Sequence, residues 1–444
     1  MPAERLGLIR VTSSITTPGG TGGFVMPVVS RGEGARPAAT HELGGVIANS
    51  STTTALTLTE TTGIDKATVH LTLYDGAGAK AGETTTDVPA YGVKHFDNLA
   101  AAVGAGNIDS GRLEIDVPSG GGAVLATATV GTQDGGATFI SSPLSDTAAS
   151  SVVARLMARP EQPDAVAPAK VVVPVLAAPV SAGSSPTYRT GVGFVAPPGG
   201  SATFFATFLD AAGKNATTRQ TIIVPAGATK TFADVAKDLF GRPSGSGSVV
   251  VEPPLGGKVY ATLQPSAPGS SASSSSALPL PSSLAEALTS AASAQKPLFF
   301  DGLEQSVDTT RGSRWLLVLN EVSGASGTAN VRLYEPGNRS RAIAEKDVAL
   351  VPYQQMQMDT VFNSLGLDTA DRRKDRTNVE VVVTATGGSA RIAAMAVSVD
   401  NTTGDTKTFP LAPVVGSGTT SGSKVAVVTP QAPPTPARRR AAKH

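Results

Sequence analysis

Apolar and polar residues alternate with period two in several separated stretches. Val69, Leu71 and Leu73 share one face, and His70, Thr72 and Tyr74 share the other. Leu113, Ile115 and Val117 alternate with Arg112, Glu114 and Asp116, and Val379, Val381 and Val383 alternate with Glu380 and Val382. That spacing predicts half-buried antiparallel strands, with the polar set turned to solvent. Arg391 to Val399 is mostly apolar and predicts a central strand.

The pattern repeats. Leu73-Tyr74-Asp75 precedes Val88-Pro89-Ala90 and a run from Asp97 to Gly104. Phe208-Leu209-Asp210, Val224-Pro225-Ala226 and Asp234 to Gly241 follow in the same order, as do Leu333-Tyr334-Glu335, Val351-Pro352-Tyr353 and Asp359 to Gly366. Three markers in one order, three times, predict a tandem array of a module of roughly 100–120 residues. Each Asp-to-Gly run predicts a short structural helix. Asp97, Asp234 and Asp359 would cap free amides, and the glycines would close the helix in the left-handed conformation.

The expected fold class is all-β: three tandem antiparallel β-sandwiches, each with one short helix, joined by Pro- and Ser-rich linkers. The expected limits are 1–23 for partial strands of a preceding repeat, 24–146, 169–265 and 296–415 for the modules, 147–168 and 266–295 for linkers, and 416–444 for a disordered basic tail. The first linker offers helical turns over Ser150 to Arg159, and the second a short helix over Ser282 to Leu288 behind a serine cap. Linkers of this composition predict few contacts between modules.

Composition supports extended structure. Gly and Pro number 48 and 32, and charged residues are only 16%. The net charge of +1 hides a split: the tail holds five of the 36 basic residues, leaving the rest near −4 against 35 acids. No basic face for nucleic acid is therefore indicated in the modules themselves. Cys is absent, which excludes disulfides, thiolate metal sites and cysteine nucleophiles. No apolar run reaches the length of a transmembrane helix, and Met1 to Arg5 leads into no signal-peptide core.

Candidate chemistry is sparse. His41, His70, His95 and His444 neither cluster nor recur between copies. Gly245-Ser246-Gly247-Ser248 lies in a turn and is no nucleophile elbow, and Ser119-Gly120-Gly121-Gly122 precedes a strand, so it is no phosphate cradle. Asp400 to Asp405 is oxygen-rich, the chemistry of weak calcium binding, but lacks EF-hand spacing and reads as a polar hairpin loop. Asn49, Asn215, Asn338 and Asn401 head sequons that matter only in a glycosylating host. Arg438-Arg439-Arg440 reads as a solvated tail. Trp315 and Tyr188 start comparable strands. Exposed, they would form a platform for sugar; buried, they would anchor sandwich cores. No catalytic, cofactor or metal residue is assigned.

Tyr188-Arg189-Thr190-Gly191-Val192-Gly193-Phe194, Val224-Pro225-Ala226-Gly227-Ala228, Ala233-Asp234-Val235 and Asp400-Asn401-Thr402-Thr403-Gly404-Asp405 carry a resemblance. With their counterparts they resemble immunoglobulin-like β-sandwich modules found in tandem in large secreted bacterial proteins. The resemblance implies export and a scaffold or adhesive role, and it implies no catalytic residue. The expectation is a non-enzymatic extracellular or cell-surface scaffold. The alternative is an accessory module holding a secreted enzyme on a polymer or carbohydrate.

Overall fold

A computed structural model describes residues 40–132, 137–141, 144–145, 170–176, 187–213, 217–242, 245–266, 275–278, 292, 296–386, 389–402, 406–410 and 412–413. The expectations for residues 1–23, the Ser150 to Arg159 turns, the Ser282 to Leu288 helix and the 416–444 tail lie outside the described residues. So do His444, Asn215 and Thr403 to Asp405.

The described chain is predominantly β-strand in antiparallel sheets. Its first stretch contains β1 (Thr40–Ala48), β2 (Thr52–Glu60), β3 (Ala67–Asp75), β4 (Lys80–Val88) and β5 (Val93–Phe96). Helix α1 (Leu99–Ala102) follows, then β6 (Ile108–Gly120), β7 (Val124–Thr132), β8 (Ala137–Ser141) and β9 (Leu144–Ser145). One sheet has the order β4-β3-β6-β1-β9, and the other contains β8-β7-β2-β5. Leu43, Val69, Leu71, Leu113 and Ile115 from the first sheet share one core with Leu56, Leu58 and Ala126 from the second. The alternation read from the sequence delivers these side chains.

The same order recurs twice. The second stretch contains β10 (Val171–Val175), β11 (Thr187–Val195), β12 (Ala202–Asp210), β13 (Gln220–Val224) and β14 (Thr229–Phe232). Helix α2 (Val235–Phe240), β15 (Gly247–Glu252), β16 (Lys258–Ser266) and β17 (Ser275–Leu278) complete it. The third contains β18 (Leu298–Gln305), β19 (Ser313–Glu321), β20 (Gly327–Tyr334), β21 (Ala344–Leu350) and β22 (Gln355–Met358). Helix α3 (Val361–Ser364), β23 (Arg376–Thr386), β24 (Ile392–Asp400), β25 (Thr406–Pro410) and β26 (Ala412–Pro413) follow. Sheets β13-β12-β15-β10 and β21-β20-β23-β18-β26 match the first sheet of stretch one; β14-β11-β16-β17 and β22-β19-β24-β25 match its second. Strand β17 lies inside the segment read as a Ser-rich linker: it pairs antiparallel with β16 and parallel with β8, joining two sheets into one of eight strands.

The three glycines at the helix ends adopt left-handed φ as expected: 73° at Gly104, 65° at Gly241 and 70° at Gly366. The caps need correction. Asp234 accepts the Lys237 amide at 3.2 Å, but in α1 the cap is Asn98, accepting from Ala101 at 3.0 Å. In α3 the cap position is Thr360, whose side chain makes no capping bond. Asp97 and Asp359 stand one residue too early and bond instead to His95 and Gln357. Among the described residues, no helix is long and apolar enough to cross a membrane.

The expectation of few contacts between modules also fails. Leu316 and Val318 of β19 and Met395, Val397 and Val399 of β24 belong to the core cluster of the second stretch. Trp315, Leu317 and Leu319 face their own core. Both faces of β19 are therefore buried, which explains its unbroken apolar run Trp315-Leu316-Leu317-Val318-Leu319.

Candidate functional site

The densest organised chemistry lies where successive stretches meet. Each junction sets the first sheet of one stretch against the second sheet of the next, and the two junctions share three contacts.

The β3–β4 turn of stretch one closes with the Gly78 amide on the Asp75 carbonyl at 3.0 Å, and the β12–β13 turn of stretch two closes with Gly213 on Asp210 at 2.8 Å. Both glycines have positive φ, 84° and 69°. A Cβ on Gly78 would lie 2.5 Å from the Gly227 carbonyl carbon, and one on Gly213 would lie 2.7 Å from Val351. So each turn seats against the Val-Pro loop of the following stretch. The residue after the turn's Asp supplies the second contact. The Gly76 carbonyl accepts the Thr229 amide at 3.1 Å, and the Ala211 carbonyl accepts the Gln354 side chain at 2.9 Å. The third is a serine at the start of the next strand pairing. Ser110 and Thr231 hydroxyls lie 3.3 Å apart, and Ser246 donates to Gln357 Oε1 at 3.3 Å.

Between these fixed points the filling differs. At the first junction Arg112 is 1% exposed. Its Nη1 donates to Glu42 at 3.0 Å and to Glu114 at 3.4 Å, and its Nε donates to the Gly227 carbonyl at 3.2 Å. The guanidinium stacks over Tyr74 at 4.0 Å, and Lys258 reaches Glu42 from the second stretch at 3.0 Å. Burial raises the pKa of the Tyr74 hydroxyl, with Glu114 adding to it. Gly44 and Gly193 flank the Tyr260 ring, and a Cβ on either would penetrate it. The alternation that placed Arg112 toward solvent is correct about the face; the face is covered by the next stretch. The second junction is apolar: Leu316, Val318 and Val397 pack into stretch two, and Val172 packs with Val322.

A second constellation supports the Val-Pro loops. Glu60 ends β2 and is 1% exposed. Its carboxylate accepts the amides of Thr62 and Gly63 at 2.7 Å, Tyr91 at 2.8 Å and Ala123 at 3.2 Å, together with the Thr62 hydroxyl. Burial opposes the charge, but these donors outweigh it and lower the carboxyl pKa to about 2. Glu321 ends β19 in the same way. It accepts Ser323 at 2.8 Å, Gly324 at 2.7 Å, Tyr353 at 3.0 Å and Arg391 at 3.3 Å, plus the Ser323 hydroxyl. Tyr91 and Tyr353 take left-handed φ of 53° and 60°, and the carboxylates hold that strain in place. In the second stretch the glutamate position is Ala196. The loop residue there is Gly227, φ 68°, whose amide bonds to the Pro197 carbonyl at 3.0 Å. The readable signal is Glu-x-Ser/Thr-Gly at a strand end with a Pro-x-Tyr or Pro-Tyr loop about thirty residues on: Glu60-Thr61-Thr62-Gly63 with Tyr91, and Glu321-Val322-Ser323-Gly324 with Tyr353.

Among the described residues the histidines do not converge. His41 is buried on β1; His70 pairs with Glu83 at 3.1 Å on the outward side of β3, as its alternation predicts. On exposed β5, His95 Nδ1 lies 2.8 Å from the Thr57 hydroxyl and its Nε2 3.1 Å from Asp97. This Thr-His-Asp line sits on an open sheet face. Trp315 is 5% exposed, packed against Phe300 at 5.5 Å and Phe409 at 5.4 Å, and Tyr188 is 7% exposed. Burial pushes the Tyr188 hydroxyl pKa up. Neither ring forms a platform. Ser246 and Ser248 of the Gly-Ser turn serve the second junction, and Gly122 makes room for Glu60, whose Cγ lies 3.0 Å from a Cβ built there. Asp400 accepts the Thr402 amide at 2.8 Å in a turn of its own, and Asn401 donates to the Arg311 carbonyl at 3.0 Å.

Comparison with known proteins adds little. No protein family matches the chain, and no curated protein matches it. One solved structure, titled "Biofilm associated protein - BSP domain", aligns over 92% of this chain and 100% of its own at 9% identity, with a TM-score of 0.16. A superposition of that quality carries no argument about fold or function.

Proposed function

We propose that this chain is a non-enzymatic extracellular or cell-surface scaffold of adhesion type, built from three tandem immunoglobulin-like sandwich modules. The observation that carries the reading is the junction made twice with the same three contacts. Sheet faces that are free in an isolated sandwich are spent on stacking, and the turns and loops of one stretch are shaped to the next. Such construction supports position and stiffness, as in other quasi-one-dimensional repeat arrays. Among the described residues it gathers no acid, base and nucleophile around a shared cavity. The polymer-binding alternative needed an exposed aromatic platform, and both rings named for it are buried.

The test is location and attachment in the producing cell. Antibody against the chain labels intact cells, surface proteolysis removes the label, and deletion of the gene weakens attachment to a surface or to neighbouring cells. Label found only after lysis, or turnover of a peptide, ester or glycoside substrate that His41→Ala or His95→Ala abolishes, overturns the proposal.

A further inference from the structure

The two ends of the stack carry the same pair of contact elements that the inner junctions use, and both are uncovered. In stretches two and three the loop after Val-Pro is buried at Gly227 and Gln354. In stretch one the equivalent loop stands open: Tyr91 is 64% and Val93 62% exposed, and neighbouring Ile64 is 72% exposed. The Val93 position is taken by Thr229 and Gln355 in the other stretches, 8% and 0% exposed. Large apolar side chains left out at a position buried twice elsewhere are the mark of a contact surface.

The matching turn is open at the other end. Glu335 to Asn338 closes with the same amide-to-carbonyl bond, Asn338 on Glu335 at 3.0 Å, with its left-handed residue, Gly337, one place before the closing position. Pro336 to Ser340 are all exposed, and a Cβ on Gly337, φ 70°, meets nothing within 4 Å. Behind this turn Tyr334 and Val382 are themselves buried, and Phe299 lies under Arg339 at 4.4 Å, so the open element is the turn itself. Size is complementary across the two open elements. At the second junction Gly213 makes room for the Gln354 side chain. The turn position equivalent to Gly213 is Asn338, and the loop position equivalent to Gln354 is Gly92. The bulk has moved from loop to turn.

We propose that a second copy of this chain docks its Glu335–Asn338 turn on the Tyr91–Val93 loop of the first, so that chains join head to tail. This rests on the stacking reading above. Because the two surfaces are different, the contact is head to tail and leaves a free surface at each end of a pair, so assembly runs past the dimer to a filament or a ring.

Sedimentation velocity of the full chain across a concentration series tests it. The expected result is a series running past the dimer, lost in Val93→Asp and lost in Asn338→Trp, each variant melting with wild type. Val93→Asp leaves the Glu60 cradle intact. An equimolar mixture of the two variants retains one matched pair of surfaces and should give a dimer and nothing larger. A chain that stays monomeric at every concentration overturns the proposal, including the case in which its own residues 1–39 occupy the loop face. So does a dimer that never extends, or assembly unchanged in both variants. Surface location of a chain that stays monomeric would leave the scaffold reading standing and remove this one.

Discussion

The first junction is polar and the second apolar, yet the same turn, carbonyl and serine contacts register both. Arg112, Glu42, Lys258 and Tyr260 fill the first; Leu316, Val318, Met395 and Val397 fill the second. Backbone shape at the turn and loop therefore sets how two stretches meet, and the side chains between them are free to vary in chemistry. The energetic consequences differ. Apolar filling stabilises by area removed from water. A buried ion cluster contributes little net stability relative to an apolar replacement, but it is costly to break.

The largest effect should therefore come from Arg112→Ala. It leaves Glu42 and Glu114 without their shared cation and empties the space over Tyr74. Loss of one partner of a buried pair costs about 3–5 kcal/mol. Arg112→Met should cost less when Glu42→Gln accompanies it, because the carboxylate that faced the guanidinium is then neutral, while Lys258 gives up its Glu42 partner. Chemical denaturation of the three proteins checks this. Equal losses in all three would show that the cluster is not the source of the effect. Leu316→Ala at the apolar junction should cost about 2–5 kcal/mol, as for other buried leucines, and should be insensitive to salt and pH.

The junctions also show where sequence reading stopped short. Alternation placed Arg112 and Leu113 on opposite faces, which is correct. It could not say that the outward face meets another sheet, because a polar residue on a covered face and one on a wet face have the same period. The run Trp315 to Leu319 did hold the information: five apolar residues in succession cannot serve a strand with one wet face. Glu60 and Glu321 were hidden for a different reason. A glutamate ending a strand is ordinary, and its role appears only when the fold brings Tyr91 or Tyr353 back to it from across the stretch. The strands and left-handed glycines were legible because they rest on local pattern and backbone sterics.

The glutamate cradle offers the next effect in size. Glu60→Gln replaces an acceptor-only group with one that presents an NH2 to backbone donors, at about 1–3 kcal/mol for each amide left unsatisfied. The pH dependence has a definite sign. The folded pKa of about 2 lies below the ordinary value of 4.5. The stabilisation is therefore fully present above pH 4.5 and is lost as pH falls through about 2. Wild type should lose stability over that window, and Glu60→Gln should lose less of it. Parallel acid titrations of the two proteins would contradict the assignment.

The smallest effect compares two aspartates that look alike in sequence. Asp234 and Asp97 both open a run that ends at a left-handed glycine, but only Asp234 reaches a helix amide, that of Lys237 at 3.2 Å. Asp234→Ala removes a cap and should cost about 0.5–2 kcal/mol. At Asp97→Ala the cap remains on Asn98, and the lost partner is an exposed His95 whose pairing contributes little. Thermal melts should therefore separate the two variants, with Asp97→Ala close to wild type and Asn98→Ala taking over the loss in that stretch. If Asp97→Ala melts as low as Asp234→Ala, the cap in the first stretch belongs to Asp97 after all, and the one-residue offset between these helices is wrong.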